Sequence, residues 1–99
     1  MARNYRCPLG EIDLIAKKQK KISFIEIKTR TQTRYGRPEE AVDTRKQYRI
    51  IRIAQWYLKE HQQADCRLSF DVLSLFKPEG DAPAIRFIEG AFEAPAGMG

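Results

Sequence analysis

Four segments of this chain alternate apolar and polar residues with the period of two that a strand requires, and one longer segment repeats with the 3.6 period of a helix. Residues 11–16 set Ile12, Leu14 and Ala16 against Glu11, Asp13 and Ile15. Residues 22–29 set Ile22, Phe24, Glu26 and Lys28 on one face and Ser23, Ile25 and Ile27 on the other. The polar stretch 17–21 between them predicts a β-hairpin. Residues 68–76 alternate again, with Asp71 on the face opposite Phe70 and Val72. A weaker last strand, 85–92, is reached through Pro78, Gly80, Asp81 and Pro83.

The helical period follows a polar, basic loop at 31–37. Pro38, with Glu39 and Glu40 behind it, has the chemistry of a first helical turn and predicts a helix over 38–63. At about 100° per residue, Val42, Ile50, Ile53, Ala54, Tyr57 and Leu58 fall in one apolar arc, while Arg45, Arg49, Arg52 and Lys59 lie mostly outside it. Trp56 stands at the border of that arc and is expected to pack in the core. Lys46 projects from the middle of the arc, so it either aims at the sheet or snorkels around the helix edge. The strand, helix, strand order predicts a parallel crossover. The fold class is therefore α/β: a mixed sheet with an N-terminal β-hairpin, a β-α-β crossover helix and a C-terminal strand. One domain is expected over 1–93, with a flexible Gly/Pro-rich tail at 94–99. One helix covers one face of the sheet, and the sequence offers no cover for the other.

Charge changes the picture more than composition does. The chain has 99 residues, 42% of them hydrophobic, and a net charge of +5, enough apolar material for one small core. Residues 1–52 carry 14 Lys and Arg against 6 Asp and Glu, a balance of +8, whereas 53–99 carry 4 against 7. Such asymmetry points to an anionic polymer, nucleic acid before an acidic membrane surface. No apolar run approaches the length of a membrane span and none follows the amino terminus, so a cytoplasmic protein with no membrane partner is expected. Cys7 and Cys66 lack the spacing of a zinc site or a disulfide framework. His61, the only histidine, falls near a helix end, where solvation or capping is the expected role, and histidine-based nucleophilic catalysis finds no support.

Chemistry concentrates in the hairpin. A turn centred on Gln19 and Lys20 sets Asp13 opposite Glu26, Glu11 opposite Lys28 and Ile15 opposite Phe24, all six on one face. Directly opposed carboxylates destabilise a sheet, and a divalent cation relieves the repulsion. Mg²⁺, or Mn²⁺ in its place, is commonly held by one or two carboxylates with waters retained for a phosphate. Asp13 and Glu26 are thus candidate metal ligands, with Glu11 as an accessory carboxylate. Lys28 and Lys46 are cations able to meet the phosphate. The chemistry that needs this set is phosphodiester hydrolysis, with Lys28 orienting water or stabilising developing charge. The bland counterpart is a surface ion-pair ladder. Lys17, Lys18, Lys20 and Lys21 form either a solvated hairpin tip or, with Arg30, Arg34 and Arg37, a track for a phosphate backbone. Asp71 is expected to pair with an arginine at a strand end.

The run Gly10-Glu11-Ile12-Asp13-Leu14-Ile15-Ala16, then Phe24-Ile25-Glu26-Ile27-Lys28-Thr29-Arg30, then Lys46 in a helix and Phe70-Asp71-Val72, closely resembles the YraN-like uncharacterised bacterial family. That family is similar to the PD-(D/E)XK nucleases, including archaeal Holliday junction resolvases and type II restriction enzymes. The resemblance spans roughly residues 3–93. It implies a restriction-endonuclease-like core and catalytic roles for Asp13, Glu26 and Lys28. It also implies that the carbonyl of Ile27 joins Asp13 and Glu26 at the metal, and that the substrate is DNA, branched or junction DNA included. Ile12 stands where the motif has proline. Relatives carry an extra helix and strand before the segment matching 3–6, and this chain lacks the helix. Two further classes stay open: a non-catalytic nucleic-acid binder of the same fold, and an interaction module forming a homodimer through the uncovered sheet.

Overall fold

The computed structural model describes residues 2–30, 43–62, 66–76 and 84–94. The chain runs through β1 (Ala2–Cys7), β2 (Gly10–Lys18), β3 (Lys21–Arg30), α1 (Thr44–Glu60), β4 (Arg67–Phe76) and β5 (Ala84–Phe92). They form one five-stranded sheet in the order β1-β2-β3-β4-β5. The pairs β1–β2, β2–β3 and β4–β5 are antiparallel, and β3–β4 is parallel. This is the mixed sheet that the alternation predicts, with α1 as the crossover between its two parallel strands.

The hairpin register is the expected one. Leu14 pairs with Ile25, Ile15 with Phe24 and Lys18 with Lys21, and Gln19 adopts φ +56° in the turn. The core lies between α1 and one face of the sheet, where Ile12, Ile15, Ile22, Phe24, Phe70 and Val72 meet Ile50, Ile51, Ile53 and Ala54. Gly10 permits the close approach of β2 to the helix, because a Cβ there would lie 3.3 Å from Ile53 Cδ1. Among the described residues no element covers the opposite face. There Leu73 pairs with Phe87 and Leu75 with Ile85, leaving Phe87 and Ile85 well exposed.

Four features differ from the sequence reading. β1 is a full strand that the alternation does not announce, because Arg3, Asn4 and Arg6 interrupt its inward residues Ala2, Tyr5 and Cys7. The continuous helix expected over 38–63 is broken at Asp43, and α1 begins at Thr44; the expected start at Pro38 lies outside the described residues. Asp43 is extended and its carboxylate accepts from the Lys46 N–H at 2.9 Å, an N-cap that fixes the first turn. At the other end Gln62, at φ +52°, stops the helix before Gln63. Residues 31–42 and 63–65 lie outside the described residues, as do 77–83 and 95–99, while Ala94 packs against the core. Trp56 is 40% exposed rather than buried, since the apolar arc closes on Ile50, Ile51, Ile53 and Ala54 without it.

The fourth difference positions the site. Ile12 and Ile15 are three residues apart yet both fully buried on the helix side, so β2 changes phase between them. β1 shifts at the same level, where Ala2 and Tyr5 both turn toward the core and Asn4, between the Arg3–Leu14 and Tyr5–Ile12 pairs, has φ +51°. A strand of strict period two keeps Glu11, Asp13 and Ile15 on one face. The phase change breaks that set, and Glu11 pairs with Arg6 of β1, 3.1 Å away, rather than with Lys28.

Candidate active site at the β2, β3 and α1 junction

Glu26 is the centre of the cluster. It follows Ile22 and Phe24 along the helix-facing side of β3 and is only 6% exposed. A carboxylate taken that far from water must be compensated, and two lysines do so. Lys46 Nζ lies 2.6 Å from Glu26 Oε1 and Lys28 Nζ lies 3.6 Å from the same oxygen. The Asp43 cap sets Lys46 in the first turn of α1, so the polar position inside the apolar arc reaches the sheet instead of the solvent.

Asp13 arrives from the phase change in β2. Its Oδ2 accepts the backbone N–H of Ile27 at 2.9 Å, which ties the carboxylate to the segment Glu26-Ile27-Lys28. The ladder between β2 and β3 runs to Leu14–Ile25, and beyond it this side-chain bond takes over. Asp13, Glu26, Lys28 and Lys46 therefore come together from β2, β3 and α1, with the Ile27 peptide between them.

The two lysines are not equivalent. The Lys46 ammonium beside Lys28 holds the Lys28 pKa below the usual lysine value, because the neutral Lys28 amine can accept a hydrogen bond from it; burial acts in the same direction. Burial works against the Lys46 ammonium too, but the Glu26 carboxylate and Lys28 outweigh it and raise the Lys46 pKa. Lys46 thus holds its proton more tightly than an ordinary lysine and Lys28 less tightly.

The remaining sequence candidates are dispersed. Lys18, Lys20, Lys21 and Arg67 surround an open hollow of about 330 Å³ at the hairpin tip, where the Arg67 N–H donates to the Lys20 carbonyl at 2.7 Å. Five residues of β3, about 16 Å, separate Lys21 from Glu26. Lys21 is engaged by Glu89 of β5. Lys17 is exposed at the end of β2. Arg30 ends β3, and Arg34 and Arg37 lie outside the described residues. Among the described residues no helix is long and apolar enough to cross a membrane.

Asp71 has a different role from the expected arginine pair. β5 inserts Glu89, Gly90 and Ala91 between the Phe70–Phe92 and Val72–Ile88 pairs. Gly90, at φ +65°, turns its N–H onto Asp71 Oδ1 at 2.9 Å, and the Ser69 hydroxyl donates to the same oxygen at 2.5 Å. Asp71 is 1% exposed and serves as the internal acceptor of a bulge. The invitation to bulge is the glycine within the alternation of β5, a signal present in the sequence.

The family model described as "Uncharacterised protein family UPF0102" matches residues 1–75. A UPF0102 protein of Moorella thermoacetica is 42% identical over 93 residues, covering 93% of this chain and 78% of the relative. Relatives of the same name from Lachnoclostridium phytofermentans and Frankia casuarinae are each 43% identical, covering 95% and 91% of this chain and 76% of their own length. On this match the chain belongs to the UPF0102, YraN-like, family.

Proposed function

We propose that this protein is a divalent-metal-dependent endonuclease of the PD-(D/E)XK type, acting on DNA, branched or junction forms included. The observation that carries the reading is the meeting of Asp13, Glu26 and Lys28 around one β3 peptide, with Lys46 delivered to them by α1.

The donor set suits Mg²⁺ or Mn²⁺ in kind. Asp13 and Glu26 offer hard carboxylate oxygens, and each carboxylate has a second oxygen outside the contacts just described. The Ile27 carbonyl would supply a third oxygen. Among the described residues no group of three or more His, Cys, Asp or Glu gathers at one point, so a cation here would have to complete its shell with water, as Mg²⁺ commonly does. A cation held there would polarise a phosphodiester and acidify a bound water.

The chain's own groups do the rest. Lys46 draws the phosphate and compensates the buried Glu26 carboxylate from 2.6 Å. Lys28, with its proton held less tightly, orients the attacking water and hydrogen-bonds the oxygen on which charge develops. The basic hollow at the hairpin tip meets the backbone away from the scissile bond, and such contacts position without reading sequence.

The test is cleavage of linear, supercoiled, branched and single-stranded DNA with Mg²⁺ or Mn²⁺. Asp13→Asn, which retains an acceptor for the Ile27 N–H, and Lys28→Ala should each abolish cutting. Undiminished cleavage by both removes the assignment. A second reading has one observation in its favour: Glu26 is already neutralised by two lysines, so the cluster is internally satisfied. Salt-sensitive binding unchanged by Asp13→Asn, with no cleavage under any metal, would identify a non-catalytic nucleic-acid binder.

A further inference from the structure

The outward face of α1 carries a row of side chains that the site above does not use. At about 100° per residue, Arg45, Tyr48, Arg49, Arg52, Trp56 and Lys59 fall within an arc about 100° wide. All six are exposed, including both rings, Tyr48 at 47% and Trp56 at 40%. The opposite side of the helix is buried through Ile50, Ile51, Ile53 and Ala54. The row holds four cations and no carboxylate, and none of the four forms an ion pair among the described residues. Arg49 stands close enough to Lys46 for its charge to act on it, so the row begins beside the Glu26 cluster.

Four cations with no ion pair among the described residues select a polyanion. The rings narrow the choice. Tyr48 and Trp56 are eight residues apart, about 12 Å along the axis, with Arg49 and Arg52 between them. Alternating guanidinium groups and rings offer phosphate contacts and stacking surfaces along one line, the combination that binds single-stranded nucleic acid. A duplex hides its base faces inside the stack and would leave the rings unused.

We infer that the outward face of α1 binds single-stranded nucleic acid, with Arg45, Arg49, Arg52 and Lys59 on phosphates and Tyr48 and Trp56 stacked on bases. The inference deepens the proposed function by naming a strand-binding surface next to the cluster. It is tested without catalysis, so that it stands or falls separately from cleavage.

Trp56 is the only tryptophan, so its fluorescence reports contact directly in the unaltered chain. With a chelator present to prevent cutting, a single-stranded oligonucleotide should quench Trp56, whereas a duplex of the same sequence and vesicles of phosphatidylserine should not. With a labelled oligonucleotide, Trp56→Ala should weaken binding at least about fivefold while Trp56→Phe retains most of it. The double change Arg49→Ala with Arg52→Ala should lower the slope of log affinity against log salt by about 1.4. Arg3→Ala with Arg86→Ala, exposed cations at the two sheet edges, removes the same charge and should lower the slope far less. Quenching by duplex or vesicles but not by the single strand, or equal losses from the two double variants, overturns the inference.

Discussion

Lys46 Nζ and Glu26 Oε1 approach to 2.6 Å, joining the first turn of α1 to a buried carboxylate of β3. The same ammonium lowers the pKa of Lys28. One contact therefore fixes the helix on the sheet and differentiates two lysines.

Replacing Lys46 by methionine should act on both fronts. Glu26 keeps only the 3.6 Å partner Lys28, a loss of about 1–3 kcal/mol measurable by denaturant unfolding. The Lys28 pKa should rise when the neighbouring ammonium is gone. The signs differ between the two lysines. Lys46, raised, stabilises the fold below the ordinary lysine value of 10.5 and loses that contribution as pH climbs through its folded value. Lys28, lowered, makes stability increase with pH between its folded value and 10.5. A nitrogen-detected NMR titration of the lysine Nζ groups should find Lys28 deprotonating before Lys46 in the unaltered chain and later in Lys46→Met. An unchanged Lys28 midpoint would refute the coupling.

Tyr5 ties β1 to the end of α1 by donating its hydroxyl to Glu60 Oε1 at 2.9 Å, with its ring edge-on to Tyr57. Burial, then the Glu60 carboxylate, push its pKa from 10.0 to about 12. The folded chain thus holds this proton more tightly than the unfolded chain, and the associated stability is lost as pH rises from 10 toward 12. Absorbance titration of the phenolates should show a late component that disappears in Tyr5→Phe and moves down in Glu60→Gln. A titration unchanged by Tyr5→Phe above about pH 11 would contradict the Tyr5–Glu60 bond.

Asp71 and Asp13 should respond oppositely to substitution. Asp71→Ala strands the buried Ser69 hydroxyl and frees the Gly90 N–H of the bulge, costing about 1–3 kcal/mol and lowering Tm by several degrees in a chain this size. Residual folded protein should retain its metal affinity. Asp13→Asn should leave Tm within a few degrees and remove metal affinity. Thermal unfolding and metal titration on the two variants separate a structural carboxylate from a ligand. Equal metal loss in both would place Asp71 in the site.

The sequence shows most of the fold because its signals are local. The Gln19-Lys20 turn determines the β2–β3 register, and a lysine within an apolar helical arc marks Lys46 as unusual, although its pairing with Glu26 is seen only in the fold. What is missed depends on tertiary context. β1 is a strand only because β2 offers it an edge. The phase change between Ile12 and Ile15 is invisible to a period-two reading, and it misplaces Glu11. The described start of α1 is set by Asp43, whose carboxylate reaches the Lys46 N–H. The exposed arc from Arg45 to Lys59 could have been drawn on the same helical wheel, but with Trp56 assigned to the core it reads as ordinary solvated charge.

Whether Asp13 and Glu26 share one divalent cation is read most directly by titrating Mn²⁺ into the chain and following the free ion by electron paramagnetic resonance. The expected result is a single site, competed by Mg²⁺ and lost in both Asp13→Asn and Glu26→Gln, with Asp71→Asn retaining it. Mn²⁺ binding that survives in both variants would contradict it.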